Sequence, residues 1–228
     1  MKLQAKEILK KIKVEGKPEN IAGMARFGIK AGKVYGVSVP FLRKLAKDIG
    51  KDHLLASQLW ESGVHEARIL AGMIEEVEKV TEKQMDKWVS DFDSWDVCDQ
   101  CCLNLFDKVN FVDRQIKSYA EAKEEFIKRT AFTLIACLAF HRNNLNDNDF
   151  DKYFPIIEKN VTDERNYVRK AVNWALRQIG KRNKNLNKKA ILVAKEILKN
   201  YKENKTAKWI ANDALRELQS ESVQKRFS

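Results

Sequence analysis

Apolar residues recur every three to four positions from one end of the 228-residue chain to the other. This spacing places them on one face of an α-helix, and no segment shows the alternation expected of a half-buried β-strand. The chain has only 9 Gly and 3 Pro, too few for the many turns of an all-β protein. The sequence therefore predicts an all-α protein, long enough to bury a full core.

Capping residues set the predicted helix boundaries. Ser38 precedes Pro40 and an amphipathic segment that ends at Gly50, which is typical of a helix with a capping residue, an early proline and a terminal glycine. Because most connections are short, neighbouring helices are expected to pack antiparallel. Further helices are predicted at about 52–60, 64–79, 82–91, 95–108, 112–120, 123–140, 149–160, 163–182, 186–200 and 206–219.

Three segments resemble one another faintly. Residues 64–76, 124–140 and 164–182 each contain an acidic residue, then a basic residue, then a stripe of small and apolar residues. With about 11 to 13 helices expected, this pattern favours an α-solenoid of stacked antiparallel helix pairs, or HEAT-like repeats, in a single domain over residues 1–228. A non-repetitive helical bundle is the alternative.

The charge balance points to a polyanionic partner. Lys and Arg number 43 against 32 Asp and Glu, a net charge of +11, which favours binding to phosphates. Residues 165–189 contain nine basic and no acidic residues, whereas residues 75–99 contain nine acidic residues and three lysines. In a solenoid this segregation concentrates positive potential on one part of the surface. A generally basic soluble protein is the alternative.

Secretion and membrane insertion are not expected. Lysines interrupt the apolar residues of the first 13 positions, so no secretion signal is predicted. The most apolar window, residues 131–140, is about half as long as a membrane span. We therefore predict a cytoplasmic protein, without membrane association, whose four cysteines are reduced.

Trp174 is predicted on a basic, solvent-facing stripe of its helix. The core-spaced residues of this helix are Val168, Ala171, Val172, Ala175, Leu176 and Ile179. The opposite face carries Lys170, Trp174, Arg177 and Lys181. An aromatic ring among cations suits a nucleotide surface; packing of Trp174 under the next helix pair is the alternative. The candidate DNA-binding residues are Arg165, Arg169, Lys170, Arg177, Lys181 and Arg182.

Asp99 is the candidate catalytic carboxylate. Its helix begins at Asp93 or Ser94 and has a core stripe of thiols, while Asp99 fits neither that stripe nor the polar side. It lies one turn after Trp95, at the edge of an expected aromatic surface that includes Phe106. There a carboxylate stays charged only beside a cation or a hydrogen-bond donor. The core stripe is Cys98, Cys101, Cys102 and Leu105, and the polar side is Asp96, Gln100, Asn104 and Asp107.

Arg129 is the candidate cation. It lies between Phe126 and Phe132 on a helix that is apolar nearly all round, so its charge is expected to meet an anion, either Asp99 or a phosphate. A purely structural ion pair with Asp99 is the alternative. The cysteines at 98, 101 and 102 lack a second ligand cluster, since Cys137 is the only other thiol, and no metal or cofactor is predicted.

Three strings occur in order along the chain: SWDVCD at 94–99, FIKR at 126–129 and VRKAVNWALR at 168–177. They resemble the AlkD-like DNA alkylation repair family, the HEAT-like repeat DNA glycosylases, and the resemblance extends to residues 36–45 and 212–218. It implies a concave face that cradles duplex DNA with alkylated bases. It also implies that a monomeric, monofunctional glycosylase hydrolyses the N-glycosidic bond of cationic N3- and N7-alkylated purines without flipping the base.

The resemblance also implies roles for four residues. Asp99 takes the position of the catalytic carboxylate, Trp95 and Trp174 the aromatic positions against the sugar of the lesion, and Arg129 the phosphate-contacting position. Ser94 precedes a single tryptophan where family members often have two. Since some relatives bind DNA with little or no excision, a non-catalytic DNA-structure-binding protein is the alternative. A protein–protein scaffold is a third, which the basic segment counts against.

Overall fold

The computed structural model describes residues 4–29 and 32–227, and within these ranges all regular structure is helical. Residues 1–3, at the start of the segment considered for a secretion signal, lie outside them. The α-helices are α1 Ala5–Glu15, α2 Pro18–Arg26, α3 Val39–Ile49, α4 His53–Glu61, α5 His65–Ile74, α6 Glu82–Ser90, α7 Trp95–Asn104, α8 Val112–Ala120, α9 Glu125–His141, α10 Asp147–Asp151, α11 Phe154–Lys159, α12 Asn166–Gly180, α13 Lys184–Asn200, α14 Lys205–Leu218 and α15 Glu221–Gln224. The all-α prediction is confirmed.

The chain divides into two compact units, residues 1–111 and 112–228. In the first unit, α5 packs against α3, α4 and α7. In the second, α9 packs against α8 and α12, and α12 packs against α13 and α14. Each unit thus consists of helices stacked on their neighbours along the chain, while the prediction of one domain over residues 1–228 stays a prediction.

The predicted N-cap of α3 is confirmed. Ser38 is the N-cap of α3, a proline follows in its first turn, and Gly50 ends it with φ +79°, a backbone conformation that glycine adopts without steric cost. Asp52 caps α4, because its carboxylate accepts a hydrogen bond from the Leu55 amide at 3.1 Å.

One predicted helix ends early and another divides. The helix expected at 64–79 ends at Ile74, where Glu75 is extended, and a 3-10 turn follows at Val77–Lys79. The helix expected at 149–160 divides into α10 and α11. Pro155 lies in the first turn of α11, where its missing N–H costs nothing; inside a longer helix it would break the hydrogen-bond ladder.

Helix α9 is the central helix of the second unit. Every side chain from residue 131 to residue 139 is buried, so the predicted central position of this helix is confirmed. Glycines allow close helix contacts elsewhere: a Cβ on Gly72 of α5 would lie 3.1 Å from Cys101 Sγ of α7. None of the described helices is long and apolar enough to cross a membrane.

Candidate functional site

The first two turns of α7 carry Trp95 and Asp99. Ser94 is the N-cap residue, as predicted, although its buried hydroxyl makes no cap hydrogen bond. Cys98, Cys101 and Cys102 are fully buried, which confirms the predicted core stripe. Burial raises the pKa of Cys101, so this thiol stays protonated. The thiols therefore anchor α7 in the core and turn its other side outward.

Trp95 borders a cavity in the first unit. Its half-buried indole Nε1 donates to the Phe27 carbonyl at 3.0 Å. A largely apolar cavity of about 530 Å³ lies beside the ring, lined among others by Met24, Ile29 and Val37. The hydrogen bond fixes the indole at the edge of this cavity, where an apolar face remains available to a ligand.

Asp99 lies one turn after Trp95 and is half-buried. The prediction that Phe106 belongs to an aromatic surface beside Asp99 is wrong. Helix α7 ends at Asn104, because Leu105 has φ −135° and ψ −63°, and a 3-10 turn follows. Phe106 is fully buried against Trp88, with ring centroids 6.2 Å apart. The neighbouring Asp107, which was predicted on the polar side of α7, is fully buried for the same reason.

Glu66 holds the loop that lines the Trp95 cavity. This carboxylate at the start of α5 is fully buried, and its Oε1 accepts hydrogen bonds from three successive amides. The distances are 2.9 Å to Tyr35, 2.6 Å to Gly36 and 3.2 Å to Val37. Gly36 has φ +79°, which lets the amides converge on one oxygen. Because Gly36 and Val37 line the cavity, Glu66 sets its shape.

His65 connects α5 to α7 beside this loop. The ring is buried, and its Nε2 lies 2.9 Å from the Asp96 carboxylate. Although burial alone would lower the pKa of His65, the hydrogen bond to Asp96 and the charges of Asp96, Glu66 and Asp93 raise it overall. This buried pair lies one residue from Trp95 and fixes the start of α7.

Arg129 lies in the second unit and is buried on α9. Its Nη1 donates to the Tyr167 carbonyl at 2.6 Å, and the Tyr167 ring stacks on Phe126 with centroids 5.5 Å apart. The guanidinium therefore reaches the first turn of α12, the helix that carries Trp174. Its predicted pairing with Asp99 or with a phosphate stays a prediction.

The two faces of α12 are as predicted. The six core-spaced residues, from Val168 to Ile179, are fully buried, while Lys170 is exposed and Trp174 is half-buried. With the Gln178 amide oriented to satisfy both neighbours, its Oε1 accepts from Trp174 Nε1 at 2.8 Å and from Lys181 Nζ at 3.3 Å. Trp174 thus belongs to the polar face of α12.

Most of the predicted DNA-binding cations contact acidic or carbonyl groups of the second unit. Arg177 and Lys181 of α12 share Glu217 of α14, with Lys181 Nζ 2.7 Å from its carboxylate. Arg165 pairs with Asp163 at 2.5 Å. These acids lie outside residues 165–189. Although basic residues are concentrated in that segment of the sequence, the fold brings acids from other segments to pair with them.

Arg169 and Arg182 lie against aromatic rings. The Arg169 guanidinium stacks over Trp209 at 5.2 Å, and Arg182 over Phe150 at 4.7 Å. Trp209 is 39% exposed. The position of Trp209 in the sequence does not predict its contact with Arg169. Among the predicted DNA-binding residues, Lys170 is the exposed one.

Sequence reasoning missed Glu66, His65 and Gln178 as parts of these arrangements. The available signal was a His-Glu pair at the start of a largely apolar helix, residues 65–74, since a buried charge needs partners. Within the described residues, no group of three or more His, Cys, Asp or Glu side chains is placed to hold a metal ion.

Comparisons with known proteins agree with this architecture. Residues 8–218 match the sequence profile of the family described as "DNA alkylation repair enzyme". No curated protein matches the chain. One solved structure has a TM-score of 0.74 and 19% identity, covering 85% of this chain and 83% of its own; it is described as "a new family of proteins related to the HEAT-like repeat DNA glycosylases with affinity for branched DNA structures".

A designed armadillo repeat protein also matches, with a TM-score of 0.39 and 16% identity over 78% of this chain and 92% of its own. The structure with a TM-score of 0.74 shows that the fold is that of HEAT-like helical repeats, which confirms the predicted solenoid class. The family match extends over both units and all three strings that carry the resemblance. This chain belongs to the DNA alkylation repair enzyme family.

Proposed function

We propose that the chain is a monofunctional DNA glycosylase that hydrolyses the N-glycosidic bond of cationic N3- and N7-alkylated purines in duplex DNA. The observation that carries this proposal is the position of Asp99: it is half-buried, one turn after a tryptophan fixed at a cavity edge, on a helix whose opposite side is locked in the core. The family match supports DNA as the substrate.

The chemistry needs few groups. An alkylated purine already carries a positive charge, so it leaves without a general acid. The sugar then develops positive charge in the transition state, which the Asp99 carboxylate stabilises electrostatically while it orients or deprotonates the attacking water. The face of Trp95 adds attraction to the cationic sugar edge. In this scheme the electron pair of the glycosidic bond leaves with the purine, and water supplies the oxygen that bonds to the sugar.

Residues of the second unit keep the roles that the family resemblance assigns to them. Trp174 contacts the sugar of the lesion, and Arg129 contacts a phosphate. The hydrogen bond between Trp174 and Gln178 would hold the indole in one orientation. The bond from Arg129 to the Tyr167 carbonyl would orient its guanidinium.

The test is base release by the purified full chain. We expect it to liberate 7-methylguanine or 3-methyladenine from methylated duplex DNA, detected by chromatography of the released bases, and to release none from unmodified DNA. Binding to the duplex is expected to weaken steeply with salt, because contacts to phosphates displace counterions. Affinity that is independent of salt would contradict binding through a DNA groove.

A second candidate is a non-catalytic protein that binds DNA of a particular shape. Two observations favour it: the solved relative is described as having affinity for branched DNA structures, and Ser94 stands beside a single tryptophan at the start of α7. Binding to methylated duplex without any base release would favour this alternative over the glycosylase.

A further inference from the structure

The second unit contains a basic cavity away from Asp99 and Trp95. Its volume is about 600 Å³, and it lies where the carboxyl ends of α9 and α12 meet the start of α13. This volume is within the range of small-molecule sites, about 300 to 1,000 Å³. The described lining contains three cations and no carboxylate. Its polar, charged and aromatic members include Phe140, Asn143, Gln178, Lys181, Arg182 and Arg226.

Arg182 places positive charge in the wall of this cavity. It is half-buried and donates to backbone carbonyls rather than to a carboxylate. These carbonyls, 2.7 to 3.1 Å away, belong to Ala139, Arg142 and Leu145. Burial lowers the pKa of Arg182 despite the charges of Asp147 and Asp149, so the fold disfavours this charge. An anion in the cavity would offset that cost.

Arg226 supplies a second cation at the cavity. It lies on the 3-10 turn Lys225–Phe227 and is exposed. No hydrogen bond or ion pair joins it to another described residue, whereas the neighbouring Lys225 pairs with Glu221 at 2.6 Å. Lys181 is already held by Glu217, so Arg226 is the cation of the lining that is best placed to bind an incoming anion.

Phe140 adds an aromatic surface to the cations. Its side chain is 67% exposed, an unusual position for a phenyl ring at the end of a core helix. Exposed rings beside cations are the arrangement on which nucleic-acid bases stack while phosphates are neutralised. Gln178, in the cavity wall, accepts from Trp174, so the cavity is continuous with the polar face of α12.

We propose that this cavity binds one unpaired nucleotide of a DNA strand. Its phosphate meets Arg226 and Arg182, and its base stacks on Phe140. A simple inorganic anion would use the cations without the ring, whereas a nucleotide uses both. The inference rests on the proposed function, because binding of the protein to DNA brings the strand to the cavity.

The test compares two DNA probes and one free nucleotide. Labelled duplexes of identical sequence, one blunt and one with a short single-stranded fork, are titrated with the full chain by fluorescence anisotropy. A deoxynucleoside 5′-monophosphate is titrated separately by calorimetry. We expect the wild-type chain to bind the forked probe about five- to tenfold more tightly than the blunt one.

Matched variants assign the preference to the cavity. Phe140→Ala and Arg226→Gln should each remove most of the fork preference and leave blunt-duplex affinity within about twofold. Leu192→Ala removes a different exposed apolar side chain, 59% exposed, and Lys225→Gln removes the adjacent cation. Both controls should keep the preference.

Two outcomes would contradict the proposal. If the cavity variants keep the fork preference, the strand binds elsewhere. If the free nucleotide binds in a Phe140-dependent way but no fork preference exists, the cavity binds free nucleotides and not an unpaired nucleotide of a DNA strand. Release of methylated bases is measured on the same preparations: its absence, with an intact cavity-dependent fork preference, contradicts the glycosylase proposal alone.

Discussion

Helix α7 of the first unit and helix α12 of the second each carry a tryptophan on a half-buried face, but the charges beside the two rings are held differently. Beside Trp95, Glu66 and His65 are buried. Beside Trp174, Arg177 and Lys181 share Glu217 on a half-buried surface. Buried charges cost free energy unless every partner stays in place, whereas surface ion pairs exchange with little net effect.

The comparison indicates two different uses of charge. The first unit fixes a rigid position for Trp95, because the charges there are bound to backbone amides and to each other. The second unit keeps cations that can leave one anion for another, which is what contact with DNA phosphates requires. The rigid arrangement and the exchangeable ion pairs thus lie in different units, so single substitutions can test each of them separately.

The largest effect on stability is expected for Glu66→Gln. The neutral amide accepts hydrogen bonds more weakly than the carboxylate, so the three amides of residues 35–37 lose charge-assisted bonds. We expect the free energy of unfolding to fall by about 2 to 3 kcal/mol in urea denaturation. The matched control Glu78→Gln changes an exposed carboxylate and should shift it by less than about 0.5 kcal/mol. Equal changes in the free energy of unfolding of the two variants would contradict a stabilising role for the hydrogen bonds of Glu66.

A smaller effect on stability is expected from the protonation of His65. Its pKa is raised in the folded protein, so protonation stabilises the fold. This contribution is complete below the unfolded value of about 6.5. It is lost as the pH rises through the folded pKa, so stability falls as the pH rises above about 6.5. The measurement is urea denaturation across this range, in which His65→Gln should remove the slope; a variant with an unchanged slope would assign it to another group.

The smallest effect is expected for Glu217→Gln in the second unit. This change frees Arg177 and Lys181 from their shared carboxylate, so DNA affinity should rise about two- to fivefold at low salt, with a steeper salt dependence. Stability should change by less than about 1 kcal/mol, because the pairs are partly exposed. Weaker DNA binding would show that Glu217 positions the two cations rather than competing with phosphates.

The sequence predicted the fold well because periodicity and caps are local. The α8 boundaries, the Ser38 cap and the buried face of α12 all follow from residues within a few positions of one another. The boundary at Asn104 did not follow from the sequence, because the turn after α7 is fixed by packing of Phe106 on Trp88, residues far apart in the chain.

The candidate site could be predicted only in part for the same reason. Helical spacing separates Asp99 from the buried thiols, but it does not show that Glu66 holds a loop 30 residues earlier in the chain. Nor does a basic segment reveal which acids will meet it: Glu217 lies 36 residues from Lys181. Long-range electrostatic partners depend on the tertiary fold, and no local pattern encodes them.

The most direct test of the central claim compares base release by the wild-type chain with release by Asp99→Asn. Asp93→Asn, at the start of the same helix, is the matched control, since Asp93 is exposed. We expect Asp99→Asn to slow release of 7-methylguanine at least about 100-fold and to leave DNA affinity nearly unchanged, while Asp93→Asn keeps most of the activity. Equal release by wild type and Asp99→Asn would contradict the catalytic role of Asp99.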